Sequence, residues 1–159
     1  MSKGDLAKEN FLKGYNCAQS VLKAFEDEPW FKESGLTSDS AMKLSSSFGG
    51  GMGGMREVCG AVSGMFMAAG LAHGYKEPKS PDKQGHYKMI RDLAAKCKEE
   101  NGSIICGELL GIKKNPDVEL PGKKKPCADL CKLAADFLED YLKNNWKGQL
   151  FITIYYLKM

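Results

Sequence analysis

The sequence predicts an all-α protein, a compact helical bundle of about five helices with an extended or β-like C-terminal tail. Three observations carry this. Apolar residues recur at helical spacing in every long segment before residue 145, no apolar-polar alternation of strand type occurs there, and caps or breakers bracket the periodic runs. A chain of 159 residues is long enough to bury a real core without disulfides or metals. Residues 1–145 are therefore read as a single domain and 146–159 as a tail.

Leu6, Ala7, Phe11, Cys17, Ala18, Val21, Leu22 and Phe25 form the first amphipathic run, interrupted at Gly14-Tyr15-Asn16, where Asn16 can cap a restart at Cys17. Ser38 or Asp39 is expected to cap a second segment bearing Ala41, Leu44 and Phe48, which the glycine run then ends. A third helix should run from about Glu57 to His73, with Gly74 at its C-terminus. Ser80-Pro81-Asp82 reads as a cap followed by proline at the first helical position. Tyr87, Ile90, Leu93, Ala94 and Cys97 then line one face as far as Asn101-Gly102. Cys106 to Gly111 reads as a short helical turn, and a polar loop with Pro116, Pro121 and Lys123 to Lys125 follows. Pro126 opens the last helix, whose stripe is Cys127, Leu130, Cys131, Ala134, Phe137, Leu138 and Tyr141. Leu150 to Leu157 is β-branched and aromatic, a strand-like composition.

A net charge of +3 argues against a nucleic-acid surface or a polybasic membrane face. The most apolar run, Val58 to Ala72, falls short of the roughly 20 residues a membrane-spanning helix needs. The charged start lacks the apolar core of a signal peptide, so a cytoplasmic location is expected. In that compartment six cysteines point to metal binding, redox chemistry or packing in preference to permanent disulfides.

The stretch FGGGMGGMREVCGAVSG, residues 48–64, holds seven glycines. Gly49, Gly51 and Gly54 satisfy a G-x-G-x-x-G string, but the segment before it is helix-like and no Gly-Lys-Ser/Thr follows, so no nucleotide is expected. Gly60, Gly64, Ala68 and Ala72 fall every four residues and make a smooth ridge on which another helix can pack closely. That ridge and the tail also leave room for a homodimer.

Cys17, Cys59, Cys106 and Cys127 all stand near predicted helix starts. Unpaired amides and the helix dipole favour an anion there, so these thiols are expected to have lowered pKa values. Cys97 sits on an apolar face near a helix end and reads as core, whereas Cys131 is one turn beyond Cys127 and can substitute as a ligand or simply pack. Lys113, Lys114 and Lys123 to Lys125 make the approach to Cys127 basic, without the interleaved aromatics that single-stranded nucleic acid would call for.

GYNCAQSV at 14–21, CGAVSG at 59–64, CGELLG at 106–111 and the cysteine at 127 together resemble the redox-active proteins named for their C_GCAxxG_C_C signature. The resemblance covers about residues 5–142 and implies that Cys17, Cys59, Cys106 and Cys127 are the functional thiols. Related domains stand beside haem-binding segments in split-Soret cytochromes, but this chain has no C-x-x-C-H string and covalent haem is not expected.

Three functions compete. In the first, the four thiolates bind an iron-sulfur cluster or another metal for electron transfer with a redox partner, and the bare backbone of Gly51, Gly53, Gly54 and Gly60 approaches the sulfurs. In the second, a thiol-disulfide oxidoreductase, the glycine loop leaves Cys59 reachable as the attacking thiol, with Cys17, Cys106 or Cys127 as the resolving one. In the third, a structural helical protein, the cysteines only pack. With only His73 and His86 as imidazoles, a Cys-His hydrolase has little to stand on.

Overall fold

A computed structural model describes residues 1–120 and 125–157, with side chains as far as residue 144. Eight helices make up the described chain, and no strand occurs among these residues. They are α1 (Lys3–Leu12), α2 (Cys17–Lys23), α3 (Pro29–Glu33), α4 (Ser38–Ser46), α5 (Gly60–His73), α6 (Lys83–Asn101), α7 (Cys106–Leu109) and α8 (Cys127–Leu157).

The break in the first run falls where the sequence places it. Asn16 Oδ1 accepts from the Gln19 amide at 2.9 Å and Gln19 Oε1 accepts from the Asn16 amide at 3.1 Å, a reciprocal cap that starts α2 at Cys17. Buried Asn10 donates from Nδ2 to the Ser20 carbonyl at 3.1 Å, which holds α1 and α2 together. Helix α1 lies along α8, whose carboxylates cap it. Asp136 Oδ1 accepts from the Gly4 amide at 2.9 Å and Glu139 Oε2 from the Lys3 amide at 3.0 Å, so negative charge meets the positive end of the dipole.

Four boundaries differ from the sequence reading. The cap of α4 is Thr37, whose hydroxyl accepts from the Ser40 amide at 3.1 Å. Helix α5 begins at Gly60 instead of Glu57, because residues 56–59 are engaged elsewhere. An isolated bridge joins Val58 to Ile105, the Cys59 amide donates to the Ile104 carbonyl at 2.8 Å, and the Cys106 amide donates to the Glu57 carbonyl at 2.6 Å. Long-range pairing here overrides helical continuation. Ser80 caps a turn, accepting from the Asp82 amide at 3.2 Å, and α6 starts only at Lys83. Finally, α8 continues through Leu157, so the strand-like composition of Leu150–Leu157 is housed in helix. β-Propensity is a weak preference that an established helix can override. The short helix α3 has no counterpart in the sequence reading.

The core is built from Val21, Leu22, Phe25, Met65, Leu93 and Leu138, all essentially inaccessible. The small-residue ridge of α5 is used inside the chain. A Cβ added at Gly64 would stand 2.5 Å from the Ala18 carbonyl oxygen and 3.0 Å from Val21 Cβ, so α2 lies on α5 at a distance only glycine allows. This close crossing sets the starts of the two helices, with Cys17 and Cys59, side by side.

A left-handed glycine turn as part of the thiol cavity

The glycine run reverses the chain between α4 and the segment leading to Cys59. Gly50 and Gly51 adopt φ +64° and +72°, values that glycine reaches without steric cost. Met52, Gly53 and Gly54 also have positive φ, so the chain winds left-handed over five residues. Gly49 packs on Asn16, whose side-chain Cβ would stand 2.8 Å from an added Cβ. Asn16 Nδ2 also donates to the Ser46 carbonyl at 3.1 Å. The turn is thereby fastened to the start of α2.

Each of the four expected cysteines sits at the start of a different helix. Cys17 and Cys106 are the first residues of α2 and α7, Cys59 is the N-cap of α5, and Cys127 opens α8 behind Pro126, whose carbonyl accepts from Asp129 and Leu130. All four line one cavity of about 40 Å³, together with Gly50, Arg56 and Gly60, and with Leu109, Leu110 and Leu130 as its large apolar side chains. All six cysteines are free thiols. Among the described residues no group of three or more His, Cys, Asp or Glu is arranged to hold a metal ion. The cavity has room for an atom-sized group, about what one water requires.

Glycine access to the sulfurs is narrower than the sequence predicts. A Cβ at Gly60 would overlap Cys17 Sγ, and one at Gly51 would stand 2.6 Å from Cys106 Cβ and 2.8 Å from the Glu57 nitrogen. Gly53 and Gly54 are exposed and away from the thiols, an added Cβ at Gly54 meeting nothing within 4 Å. Gly50, which the sequence reading did not single out, lines the cavity together with Gly60.

The electrostatics also correct an expectation. Burial pushes the Cys59 thiol up to about 12, against the pull of the Val62 and Ala61 amides at the start of α5. Burial likewise raises Cys127, where the neighbouring Cys17 and Cys106 sulfurs add to the shift and Arg56 opposes it. Helix-start amides act in the expected direction, but loss of water outweighs them. With 6% of its surface exposed, Cys59 is badly placed to attack an external disulfide, whatever freedom the glycine turn has.

Cys97, on α6, is buried in the hydrophobic core and does not line the cavity, and burial alone pushes its thiol up to about 12. Cys131 is fully buried and does not line the cavity. Its Sγ donates to the Cys17 carbonyl at 3.7 Å, so it backs the start of α2. Of the lysines expected to make the site basic, Lys113 pairs with Glu57 at 2.6 Å and Lys125 with Glu100 at 2.8 Å, while Lys123 and Lys124 lie outside the described residues. The cation at the thiols is Arg56, with Nη1 3.8 Å from Cys106 Sγ. Sequence reasoning missed it; its one signal is a lone basic residue between a glycine run and a cysteine.

Among the described residues no helix is long and apolar enough to cross a membrane. No match was found among curated proteins or among solved structures. A family model described as "putative redox-active protein (C_GCAxxG_C_C)" matches residues 15–141, a span from just before Cys17 to well beyond Cys127, and the chain belongs to that family.

Proposed function

We propose that Cys17, Cys59, Cys106 and Cys127 are thiolate ligands of an iron-sulfur cluster or another thiolate-bound metal, through which the protein transfers electrons. The observation that carries this reading is that four thiols from four helices line one cavity with an apolar wall. Four soft sulfur donors suit such groups in number and kind. The cavity as it stands has room for an atom-sized group, so a single metal ion requires the four sulfurs to converge on it, and a cluster requires the lining to open around it.

When bound, the group supplies one-electron storage. The protein's part is to hold and shield it. Leu109, Leu110 and Leu130 exclude water, the Ala61 and Val62 amides favour a thiolate at Cys59, and Gly51 and Gly60 let backbone pass close to Cys106 and Cys17. The burial that makes Cys59 a poor free nucleophile suits a ligand, because a coordinated thiol gives up its proton outright.

Purification without oxygen, followed by iron and sulfide analysis and a visible spectrum, tests this. Stoichiometric metal with charge-transfer bands is expected. Single Cys→Ser changes at positions 17, 59, 106 and 127 should each remove them, and Cys97→Ser should not. Metal-free, colourless protein that gains free thiols on reduction would overturn the proposal in favour of dithiol-disulfide chemistry. Six unreactive thiols without metal would leave cysteines that only pack.

A further inference from the structure

Arg56 stands out twice. Its backbone is left-handed, at φ +64°, a conformation that a side-chain-bearing residue adopts at a cost. The strain is held from both sides, because the Arg56 amide donates to the Gly50 carbonyl at 3.2 Å and the Arg56 carbonyl accepts from the Gly107 amide at 2.9 Å. These bonds clamp the residue between the glycine turn and the segment that carries Cys106, and Nη1 lies 3.8 Å from Cys106 Sγ. Its charge is not spent on a carboxylate. Glu57 is paired with Lys113, Glu108 bonds Ser103 and Asn115, and among the described residues no acid pairs with Arg56. A half-buried guanidinium with Nη1 against Cys106 Sγ, at a cavity lined by four cysteines and an apolar wall, is therefore the positive charge that faces whatever negative charge the cavity acquires.

We propose that Arg56 is a positioning residue for charge at the thiol cavity: its guanidinium, fixed over Cys106, stabilises the more negative state of the site and so raises the potential at which it accepts an electron. This rests on the proposed electron-transfer role. The step adds one electron from a low-potential one-electron donor such as dithionite and one unit of negative charge to the site, with no bond formed or broken. At a separation near 4 Å in a partly dry site, a fixed positive charge favours that added charge strongly.

The first measurement uses the metal-loaded protein and reads the midpoint potential in wild type, Arg56→Gln and Arg56→Lys. Arg56→Gln is expected to lower the ratio of reduced to oxidised site at a fixed donor poise by about tenfold, a shift of about 59 mV for one electron. Arg56→Lys keeps the charge and the backbone strain and should recover most of it. An unchanged potential in Arg56→Gln overturns the proposal.

The second measurement uses metal-free, reduced protein and does not depend on loading. The rate of thiol modification by dianionic dithiobis(nitrobenzoate) is divided by the rate with neutral dithiodipyridine. Both reagents need thiolate, so the ratio cancels thiol acidity and reads the local field. The ratio should fall about threefold in Arg56→Gln at low salt, and added salt should lower it in wild type as well. A ratio insensitive to both the substitution and salt overturns the proposal even if the variant folds poorly, since the salt arm needs only wild-type protein. Failure of wild type to take up metal would refute the ligand assignment above, and the reagent ratio alone would then decide the role of Arg56.

Discussion

Gly64→Ala tests the close crossing of α2 on α5, the contact that brings Cys17 beside Cys59. Gly64 has ordinary helical backbone, so alanine adds no strain, and helix propensity alone favours it by about 1 kcal/mol. Sterics oppose it. The new methyl would stand 2.5 Å from the Ala18 oxygen, 3.0 Å from Val21 Cβ and 3.1 Å from Ala18 Cα, roughly 0.8 Å short of a normal C···O contact of about 3.3 Å. Two of the three obstacles are backbone, which cannot rotate away, so α2 must retreat. Overpacking of this kind costs about 1–3 kcal/mol, and after the propensity gain a net loss of up to about 2 kcal/mol is expected. For a chain of this size that lowers Tm by up to about 8 °C. Gly70→Ala is the control on the same helix, because nothing lies within 4 Å of its added Cβ. It should raise Tm by about 1–4 °C from propensity alone. Thermal unfolding of metal-free, reduced protein reads both without a binding contribution. Gly64→Ala at or above wild-type Tm, with Gly70→Ala behaving as stated, would refute the packing argument.

Gly60→Ala should perturb the site more than the fold, since its methyl overlaps Cys17 Sγ; metal content is expected to fall further than in Gly64→Ala at equal Tm loss. Alkaline titration should find Cys97 still protonated in the fold, up to about 12, while its unfolded counterpart titrates near 9.0. Between those values the unfolded state carries fewer protons, so stability falls as pH rises, by about 1.4 kcal/mol per pH unit from this thiol. Urea unfolding of Cys97→Ala should show that slope reduced by this amount, and an unchanged slope would contradict the burial argument. Asn10→Ala leaves the buried Ser20 carbonyl without its 3.1 Å donor and should cost about 1–3 kcal/mol. Lys79→Gly relieves an exposed residue at φ +60°; relief of about 1–2 kcal/mol against roughly 1 kcal/mol of added chain entropy predicts a small gain in Tm.

Local signals made much of the fold legible. Helical periodicity, the Asn16 cap, Gly74, Gly102 and Pro126 locate most helices within a few residues, because caps and breakers act on the chain within one turn. The short α3 could have been read from Pro29 at its first position, another local signal. The start of α5 was not legible, since residues 56–59 are held by hydrogen bonds to residues 104–107. The helical state of the tail was equally hidden, because propensity for strand and continuation of α8 compete and sequence gives no weight to the second.

The candidate site divides along the same line. By itself the sequence determined an all-α fold class, a family signature, four cysteines at four helix starts and a ridge that demands close helix packing, all consequences of residue identity and spacing. Only the tertiary structure decided that those four thiols share one cavity, that Cys97 does not line it, that burial outweighs the helix-start amides at Cys59, and that the Arg56 guanidinium stands against Cys106. Desolvation and charge proximity depend on which segments meet in space, and residues 17, 56, 59, 106 and 127 meet where α2 lies on the glycines of α5 and the segment at 104–107 pairs with 56–59.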